Sequence, residues 1–491
     1  MEKRKTFYEI FSELNKIPRA SHHEEKVADY LCQFAESYCL DYERDKENCV
    51  VIRKPASPGC ENADTVVILN HMDMVCVAKD DYLRDGRKFD PLKDEIRPYI
   101  ETDKEGKRWM KAEGTSLGAD NGMGLSMALA ILTDDSIIHP ALEVLTTTNE
   151  EDGMSGAEAL SKDFIKGRKV INLDSEAYDE ITVGAAGACL QVGKWDLKYA
   201  PIPKGYKCYK IVIDGGLGGH SGVDINKGRC NCNKMLLNIS HSFVTDFLEF
   251  TNGMLFCSIN GGTANASISS WAEAIVAIKE EWEDEFRAII KGWCQFMKQS
   301  IKGDPGVELH LEETEAKEHI VDFAKTIKVL GNLPHGVKEM RKDMPDTVLT
   351  SNNIGVIRTE GNQMTVSCHT RSFDAGEQEK VRLLCRDVML NAGAREVEML
   401  MNTSSWVERA DSPLLALTCN TFKDVLGFEP KKVAMHFVLE AAYYVEKYPG
   451  VEIASIGPRI IEPHSTSERV CLDTADDIWK VTVELLRRLA E

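Results

Sequence analysis

The chain has 491 residues, which at roughly 150 residues per domain predicts two or three domains and excludes a small disulfide-stapled scaffold. Asp and Glu total 79 against 59 Lys and Arg, and the resulting formal charge of −20 opposes binding to the phosphate backbone of nucleic acids. With 43% hydrophobic and 28% charged residues, the composition is that of an ordinary folded protein.

Cysteine usage and the amino terminus indicate the compartment. The 15 cysteines are scattered singly apart from Cys230 and Cys232, and they lack the doubled CxxC spacing of a structural zinc site, so we predict reduced thiols. The amino terminus, MEKRKTFYEIFSELNKI, is charged and amphipathic, and no apolar run approaches the roughly 18 residues of a membrane span. We therefore expect a cytoplasmic protein without a membrane segment.

The first part of the chain predicts an α/β sheet. A helical pattern begins near residue 6, and Ser21 with Glu24 has the spacing of a capping box for a helix over about residues 22–38. The apolar, alanine-rich stretch 121–132 predicts a helix packed on a sheet, and three runs rich in Val, Ile and Leu predict buried strands over residues 65–70, 141–146 and 169–174. Strands that alternate with helices are typical of α/β proteins.

The pattern changes after about residue 187 and changes back near the carboxyl terminus. Longer amphipathic strands and charged helices such as 280–299 follow residue 187, whereas a helix over 412–426 and a strand over 451–456 restore the α/β pattern. We therefore predict a split domain, residues 1–187 and 400–491, with a mostly parallel sheet flanked by helices. An α+β domain, residues 188–399, is inserted into it.

His71 and Asp73 follow the first predicted strand. Alternation along a strand places residues i and i+2 on the same side, so both side chains could face one metal ion. An HxD pair alone occurs by chance in many proteins, and a satisfied polar pair at a strand end is the alternative interpretation. The pair gains meaning only together with other candidate ligands.

Further acids and one histidine follow predicted strands or precede helices: Asp120, Glu150, Glu151, Asp174 and His464. Each has an ordinary structural interpretation, such as a helix cap, an acidic first turn, a turn residue or a surface histidine. Together, at the carboxyl edge of one sheet, they would repel and desolvate each other unless a cation compensated them. A metal site is the economical explanation.

Carboxylate and imidazole ligands without thiolates suit zinc, manganese or cobalt, and this set exceeds what one tetrahedral ion uses. We therefore expect two divalent ions, with zinc first and manganese or cobalt as alternatives. Such centres activate water for hydrolysis. Because Glu150 and Glu151 are neighbours that point in different directions, one could bind metal while the other transfers the proton of the water to a leaving amine.

Three motifs resemble the M20 metallopeptidases, in particular their aminoacyl-histidine dipeptidase branch. The resemblance runs through most of the chain and includes three stretches, of which the third is the most specific: IPRASHHEE at 17–25, IRKPASPG at 52–59 and GTSLGADNG at 114–122. The resemblance implies that His71 and Asp174 bind one ion, that Glu151 and His464 bind the other, and that Asp120 bridges them.

The resemblance also implies roles for residues that are not metal ligands. Glu150 is the general base, and Asp73 becomes the partner that fixes the tautomer of His71 rather than a ligand. The inserted domain becomes a lid and dimerisation domain. Its motif GGHSG at 218–222 implies that His220 stabilises the oxyanion, in many family members from the partner subunit of a homodimer. Asn265 and Arg371 resemble substrate-binding positions, and an arginine suits the carboxylate of a dipeptide.

Near the carboxyl terminus the sequence departs from the family pattern. Residues 436–442 read HFVLEAA where the family has HAGLECG, so His436, the third substrate-binding candidate, and Glu440 are kept while bulkier residues replace small ones. Residues 464–468 read HSTSE where the family has HSPDE. A helical i, i+4 pair is an alternative interpretation of His436 and Glu440.

The leading hypothesis is a cytoplasmic two-metal dipeptidase that cleaves Xaa-His or a broad range of dipeptides. It would act on small peptides as a homodimer, without nucleic acid or membrane partners. A carboxypeptidase or small-molecule amidase on the same metal core is the first alternative. A binding protein without catalysis is the second.

Overall fold

The computed structural model describes residues 4–84, 86–247 and 253–491. The chain divides into two compact units. Unit 1 comprises Met1–Gly184, Val407–Ala434 and Glu440–Glu491, and unit 2 comprises Ala185–Trp406 and Met435–Leu439. Within the described ranges, no helix combines the length and apolarity needed to cross a membrane.

Unit 1 combines helices with a central sheet. Its helices are α1 (Phe7–Leu14), α2 (Glu25–Ser37), α3 (Ala119–Thr133), α4 (Ser155–Ala159), α9 (Pro413–Leu426), α10 (Ala441–Lys447) and α11 (Leu472–Leu489). Its strands are β1 (Asp41–Arg44), β2 (Val50–Lys54), β3 (Val66–His71), β4 (Leu83–Arg84), β5 (Arg87–Lys88), β6 (Pro98–Thr102), β7 (Arg108–Ala112), β8 (Leu142–Thr147), β9 (Lys169–Asn172), β10 (Glu180–Ala185), β22 (Trp406–Val407), β23 (Lys431–Met435), β24 (Glu452–Ser455), β25 (Ile460–Ile461) and β26 (Arg469–Cys471).

The central sheet of unit 1 has the strand order β1-β2-β8-β3-β9-β24-β10-β22, and β23 pairs with β10. Strands β8, β3, β9 and β24 run parallel, whereas β1, β2 and β10 pair antiparallel with their neighbours. The parallel strands are buried along almost their whole length, which explains their continuous apolar sequences. Helix α3 is almost wholly buried as well, and this fits its alanine- and leucine-rich sequence.

Unit 2 is built on a second sheet with the strand order β16-β13-β15-β14-β19-β20-β11-β21, and β18 pairs with β19. Its strands are β11 (Gly187–Asp196), β12 (Tyr199–Pro201), β13 (Tyr206–Asp214), β14 (Met254–Gly261), β15 (Ala272–Lys279), β16 (Glu308–Thr314), β17 (Glu318–Ile320), β18 (Gly336–Met340), β19 (Val348–Glu360), β20 (Gln363–Ser372) and β21 (Glu396–Thr403). Its helices are α5 (Cys232–Thr245), α6 (Glu283–Ser300), α7 (Phe323–Leu330) and α8 (Ala375–Asn391), and they pack an apolar core against the sheet.

The α/β class predicted from sequence is confirmed, and the strands predicted over 65–70, 141–146 and 169–174 lie within two residues of β3, β8 and β9. The central sheet is parallel only in its middle strands. The predicted capping box of α2 is wrong, because the Ser21 hydroxyl donates to Asp73 Oδ2 (2.8 Å) instead of capping the helix. The domain limits predicted at residues 187 and 400, and the lid and dimerisation role of the inserted part, stay predictions.

Candidate metal centre and active site

The candidate ligands of unit 1 lie at the ends of its parallel strands. His71 ends β3, Glu150 and Glu151 follow β8, and Asp174 follows β9. Parallel neighbours end at the same edge of a sheet, so the topology brings these side chains together. Asp120 lies in the first turn of α3, and His464 lies in the loop between β25 and β26.

Asp120 lies between two pairs of candidate ligands. Its Oδ1 is 3.1 Å from His71 Nε2, which is itself 3.3 Å from Asp174 Oδ1. Its Oδ2 is 3.2 Å from His464 Nε2, which is 2.8 Å from Glu151 Oε2. Ligand atoms held about 2.1 Å from a tetrahedral ion are about 3.4 Å apart, so these separations are close to those around bound ions.

The centre has more negative charge than its own residues neutralise. Burial, with repulsion from Asp120 and Glu151, raises the pKa of Asp174 to about 7. Burial also raises the pKa of Glu150 well above its ordinary value. Hydrogen bonds with Asp120 and Glu151 raise the pKa of His464 to about 11. A bound cation would relieve this repulsion.

Asp73 lies on the other side of the His71 ring and is fully buried. His71 Nδ1 lies 3.1 Å from the Asp73 carbonyl oxygen, which can only accept a hydrogen bond. Nδ1 therefore carries the proton, and in the neutral imidazole the lone pair of Nε2 is free to bind an ion. The Asp73 carboxylate also accepts from the backbone N–H groups of Glu150 (3.1 Å) and Glu151 (3.2 Å).

The residues present fit a metal ion. His71, Asp120 and Glu151 each offer a ligand atom within 4.8 Å of the others. Glu151 Oε1 is buried without a hydrogen-bond partner in the part of the chain that the structure describes. Imidazole nitrogens and carboxylate oxygens are the donors of zinc, manganese and cobalt sites, so the site suits these ions.

A second group of candidate residues lies in unit 2, around Arg371 on β20. Arg371 is 3% exposed, and its Nε and Nη2 donate to the Ser221 hydroxyl, each at a distance of 3.3 Å. Among the described residues no carboxylate forms an ion pair with it, and burial lowers the pKa of its guanidinium to about 10. A buried guanidinium without a carboxylate partner can donate hydrogen bonds to a ligand carboxylate.

His220 lies beside Arg371. The backbone N–H groups of Gly222 and Val223 point at His220 Nδ1 from 3.3 and 3.2 Å, so Nδ1 accepts and Nε2 carries the proton. Burial, with the neighbouring Arg371 charge, lowers the pKa of His220 to about 4, so the ring is neutral at pH 7. Nε2–H and Arg371 Nη2, 3.4 Å apart, are two donors that one ligand oxygen could accept from.

His436 follows β23 in a bend, and Glu440 directly precedes α10, so their interpretation as a helical pair is wrong. His436 Nε2 is 2.8 Å from the Ser351 hydroxyl. The Phe437 ring packs edge-on against His220 with 5.8 Å between centroids. Asn265 lies in the loop after β14, which the Asn353 amide holds by donating to the Ser267 carbonyl oxygen (2.8 Å).

Of the buried charged residues of unit 1, the sequence reasoning gave no role to Arg19, Glu440 and Glu468. Glu440 accepts from the Thr147 hydroxyl (2.9 Å), and burial raises its pKa to about 8. Arg19 and Glu468 bind backbone groups around Asp120. All three lie in the motifs already quoted, but hydrophobic periodicity gives no signal for a buried charged side chain, and the partners of Arg19 and Glu468 are backbone atoms, which have no residue identity.

The α/β fold and the cluster of imidazoles and carboxylates at its sheet edge define the class of a metal-dependent hydrolase. Comparison with known proteins identifies the family: the chain belongs to peptidase family M20/M25/M40, whose sequence model matches residues 67–491. The predicted family is thus confirmed, and the protein is a hydrolase that acts on peptide bonds.

Three similar proteins match nearly the whole chain, two of them at more than 30% identity. The cytosol non-specific dipeptidase of Escherichia coli (strain K12) is 32% identical over 487 residues, which are 98% of this chain and 97% of that protein. The crystal structure of aminoacylhistidine dipeptidase from Vibrio alginolyticus is 33% identical, with a TM-score of 0.85 over 98% of this chain and 96% of its own. Aminopeptidase PepT from Bacillus cereus ATCC 10987 shares the fold at 14% identity, with a TM-score of 0.55 over 100% of this chain and 99% of its own.

We predict that Asp120→Asn weakens metal binding at least roughly tenfold, because outer partners of ligands alone contribute that much. The substitution keeps the side-chain shape but removes the charge that faces both histidines. Calorimetric titration of chelator-stripped protein with zinc and manganese, followed by elemental analysis, measures the change. Asp152→Asn, at a side chain that is 76% exposed, is the matched control. Equal affinity in Asp120→Asn and wild type would contradict the prediction.

Proposed function

We propose that the protein is a cytoplasmic, homodimeric dipeptidase with two divalent metal ions. Zinc is the preferred assignment for these ions, and manganese and cobalt are the alternatives. One observation carries the proposal: the two oxygens of Asp120 face two separate histidine–carboxylate pairs. His71 and Asp174 would hold one ion, Glu151 and His464 would hold the other, and Asp120 would bridge them. Bound ions of this kind polarise the scissile carbonyl and make water more acidic.

Glu150 is the proposed general base. Its backbone N–H donates to Asp73 Oδ1 and that of Glu151 donates to Asp73 Oδ2, so the two neighbouring glutamates share one anchor. With Glu151 engaged as a ligand, the Glu150 carboxylate accepts the proton of the attacking water and later donates it to the leaving amine. Asp73 acts on the reaction only through His71 and through this anchor.

Arg371 is proposed to bind the carboxyl terminus of the substrate. Its planar guanidinium suits a carboxylate, and no carboxylate among the described residues of its unit forms an ion pair with it. His220, neutral and with its proton on Nε2, is proposed to donate to the developing oxyanion, from the partner subunit of the homodimer. Asn265 and His436 complete the proposed substrate-binding set.

Dipeptides are favoured over the other substrates of this chemistry by the two matches above 30% identity. This chain covers 97% and 96% of the length of those two relatives, which are called a non-specific dipeptidase and an aminoacylhistidine dipeptidase. Cytoplasmic location is supported by the name of the first. Carboxypeptidase or amidase activity is the remaining alternative, because the bulkier Phe437 alters a stretch that is small in the family.

We predict that wild-type protein, reloaded with zinc, manganese or cobalt after chelation, hydrolyses Xaa-His and other dipeptides. Tripeptides and N-acylated amino acids should be cleaved at least about tenfold more slowly, because an added residue or acyl group must be accommodated in a site made for two residues. Product amino acids are quantified by chromatography. Faster cleavage of N-acyl amino acids would favour the amidase alternative, and no turnover with any ion would overturn the proposed function.

We predict that Glu150→Gln lowers kcat by roughly 10²- to 10⁴-fold, because the amide cannot accept the proton. Metal content should stay at the wild-type value, since Glu150 is not a proposed ligand. Elemental analysis and steady-state kinetics on one preparation separate the two effects. Glu158→Gln, an exposed glutamate in α4, is the matched control and should retain activity. Undiminished turnover in Glu150→Gln would remove the base assignment.

We predict that Arg371→Lys lowers kcat/KM for a free dipeptide by roughly 10- to 100-fold, since hydrogen bonds to charged groups contribute about 1.5–3 kcal/mol. For the same dipeptide with an amidated carboxyl terminus, the substitution should lower kcat/KM only slightly. Arg341→Lys is the control, because that arginine already pairs with Asp343 (2.5 Å) in the same unit. Equal losses on both substrates would show that Arg371 does not recognise the carboxylate.

A further inference from the structure

Two buried side chains of opposite charge hold the turn that carries Asp120. The turn spans residues 117–120, directly before and within the start of α3. Glu468 reaches it from the loop before β26, and Arg19 reaches it from the segment before α2. Neither residue belongs to the proposed ligand or substrate-binding set.

Glu468 binds the backbone N–H groups of the turn. The side chain is 3% exposed. Leu117 N and Gly118 N donate to Oε2 over 2.7 and 2.9 Å, and Ala119 N donates to Oε1 over 2.7 Å. Successive N–H groups at a helix amino terminus favour an anionic partner. Because Glu468 is four positions after His464 in one loop, these bonds tie the His464 loop to the Asp120 turn.

Arg19 binds the backbone carbonyl groups of the same turn and of the end of β3. It is 1% exposed, and its Nη2 donates to Gly118 O over 2.5 Å. Its Nη1 donates to Met72 O over 3.2 Å and to Asp73 O over 3.1 Å. Arg19 therefore ties the Asp120 turn to the segment that carries His71 and Asp73.

The glycines of the motif GTSLGADNG make room for this arrangement. A Cβ atom at Gly118, whose φ is +69°, would lie 2.5 Å from Arg19 Nη2. A Cβ atom at Gly122 would also lie 2.5 Å from the same nitrogen. Side chains at these two positions would displace Arg19, so glycine at both positions is needed for the guanidinium to pack against the turn.

We propose that Arg19 and Glu468 are positioning residues that set the spacing of His71, Asp120 and His464 for metal binding. The inference rests on the proposed metal centre and deepens it. The three ligands come from three chain segments that lie far apart in sequence, and the two charged side chains link all three through backbone groups. Burying two charges for stability alone is inefficient, because apolar side chains of similar volume often stabilise a fold as well or better.

Glu468→Gln tests the inference most directly. The amide keeps the shape but turns an N–H donor towards backbone N–H donors, so the turn should shift. We expect the affinity of the metal-stripped protein for zinc to fall roughly 10- to 100-fold, as when other partners of metal ligands are removed. The visible absorption of the cobalt-loaded protein should change, and kcat should fall more than KM rises.

Matched variants and a folding readout separate positioning from mere stability. Glu462→Gln changes an exposed glutamate of the same loop, which pairs with Arg469 (2.7 Å), and should leave zinc affinity and the cobalt spectrum unchanged. Thermal unfolding of the metal-free proteins reports stability independently of binding. Arg19→Lys keeps the charge but loses the planar fork that reaches several carbonyl groups, and it should also weaken zinc binding.

The outcomes distinguish this inference from the proposed function. Wild-type protein that binds no zinc, manganese or cobalt would overturn the metal centre itself. A folded Glu468→Gln protein with wild-type zinc affinity and cobalt spectrum would overturn the positioning role while leaving the centre intact. If Glu468→Gln does not fold, Glu468→Asp decides, because a side chain one methylene shorter cannot reach the same three N–H groups. Wild-type affinity in that variant would likewise overturn the inference.

Discussion

The concentration of buried carboxylates at the carboxyl ends of the parallel strands is the constraint on which the rest of this protein depends. Unit 1 gathers Asp73, Asp120, Glu151 and Asp174 within a few ångströms of two histidines. Such a cluster is costly in a desolvated site unless hydrogen bonds and cations offset it. Three features offset the negative charge of this cluster: the backbone N–H groups that face Asp73, the guanidinium of Arg19 and the proposed metal ions.

Topology explains why so many acids meet at this edge. Strands β3, β8 and β9 are parallel neighbours, so the segments that follow them leave the sheet on one side. The buried, apolar strands give a rigid base, whereas the segments after them carry side chains that could not be tolerated inside the sheet. The chain then uses backbone groups to hold the acids: N–H donors reach Asp73 and Glu468 from residues next to the proposed ligands.

Sequence alone predicted the parts of the structure that depend on continuous apolar runs. The strands β3, β8 and β9 and the helix α3 bury nearly every residue, so their signal is strong and local. The antiparallel strands β1, β2 and β10 were not predicted. β2 and β10 pair with β8 and β24, which lie far away in the chain, whereas β1 pairs with its chain neighbour β2. Ser21 stands at the spacing of a helix cap, but its hydroxyl donates to Asp73. A contact within the site is therefore formed in place of the local capping bond. Acids and histidines at strand ends could be found by residue type, whereas Arg19 and Glu468 contact backbone atoms that carry no residue identity.

Among the described residues, the two units differ in the charge that lies at their candidate sites. The centre of unit 1 is rich in carboxylates, whereas the cluster of unit 2 combines the cationic Arg371 with a neutral His220. A neutral imidazole beside a guanidinium adds a hydrogen-bond donor without adding a second positive charge. Phe437 packs on that imidazole and limits its rotation, since the ring is held between Phe437 and the N–H groups of residues 222–223. The bulkier residue that departs from the family pattern therefore makes the position of the His220 donor more rigid, and under the proposed function the shape around Arg371 and His220 would limit the substrate range.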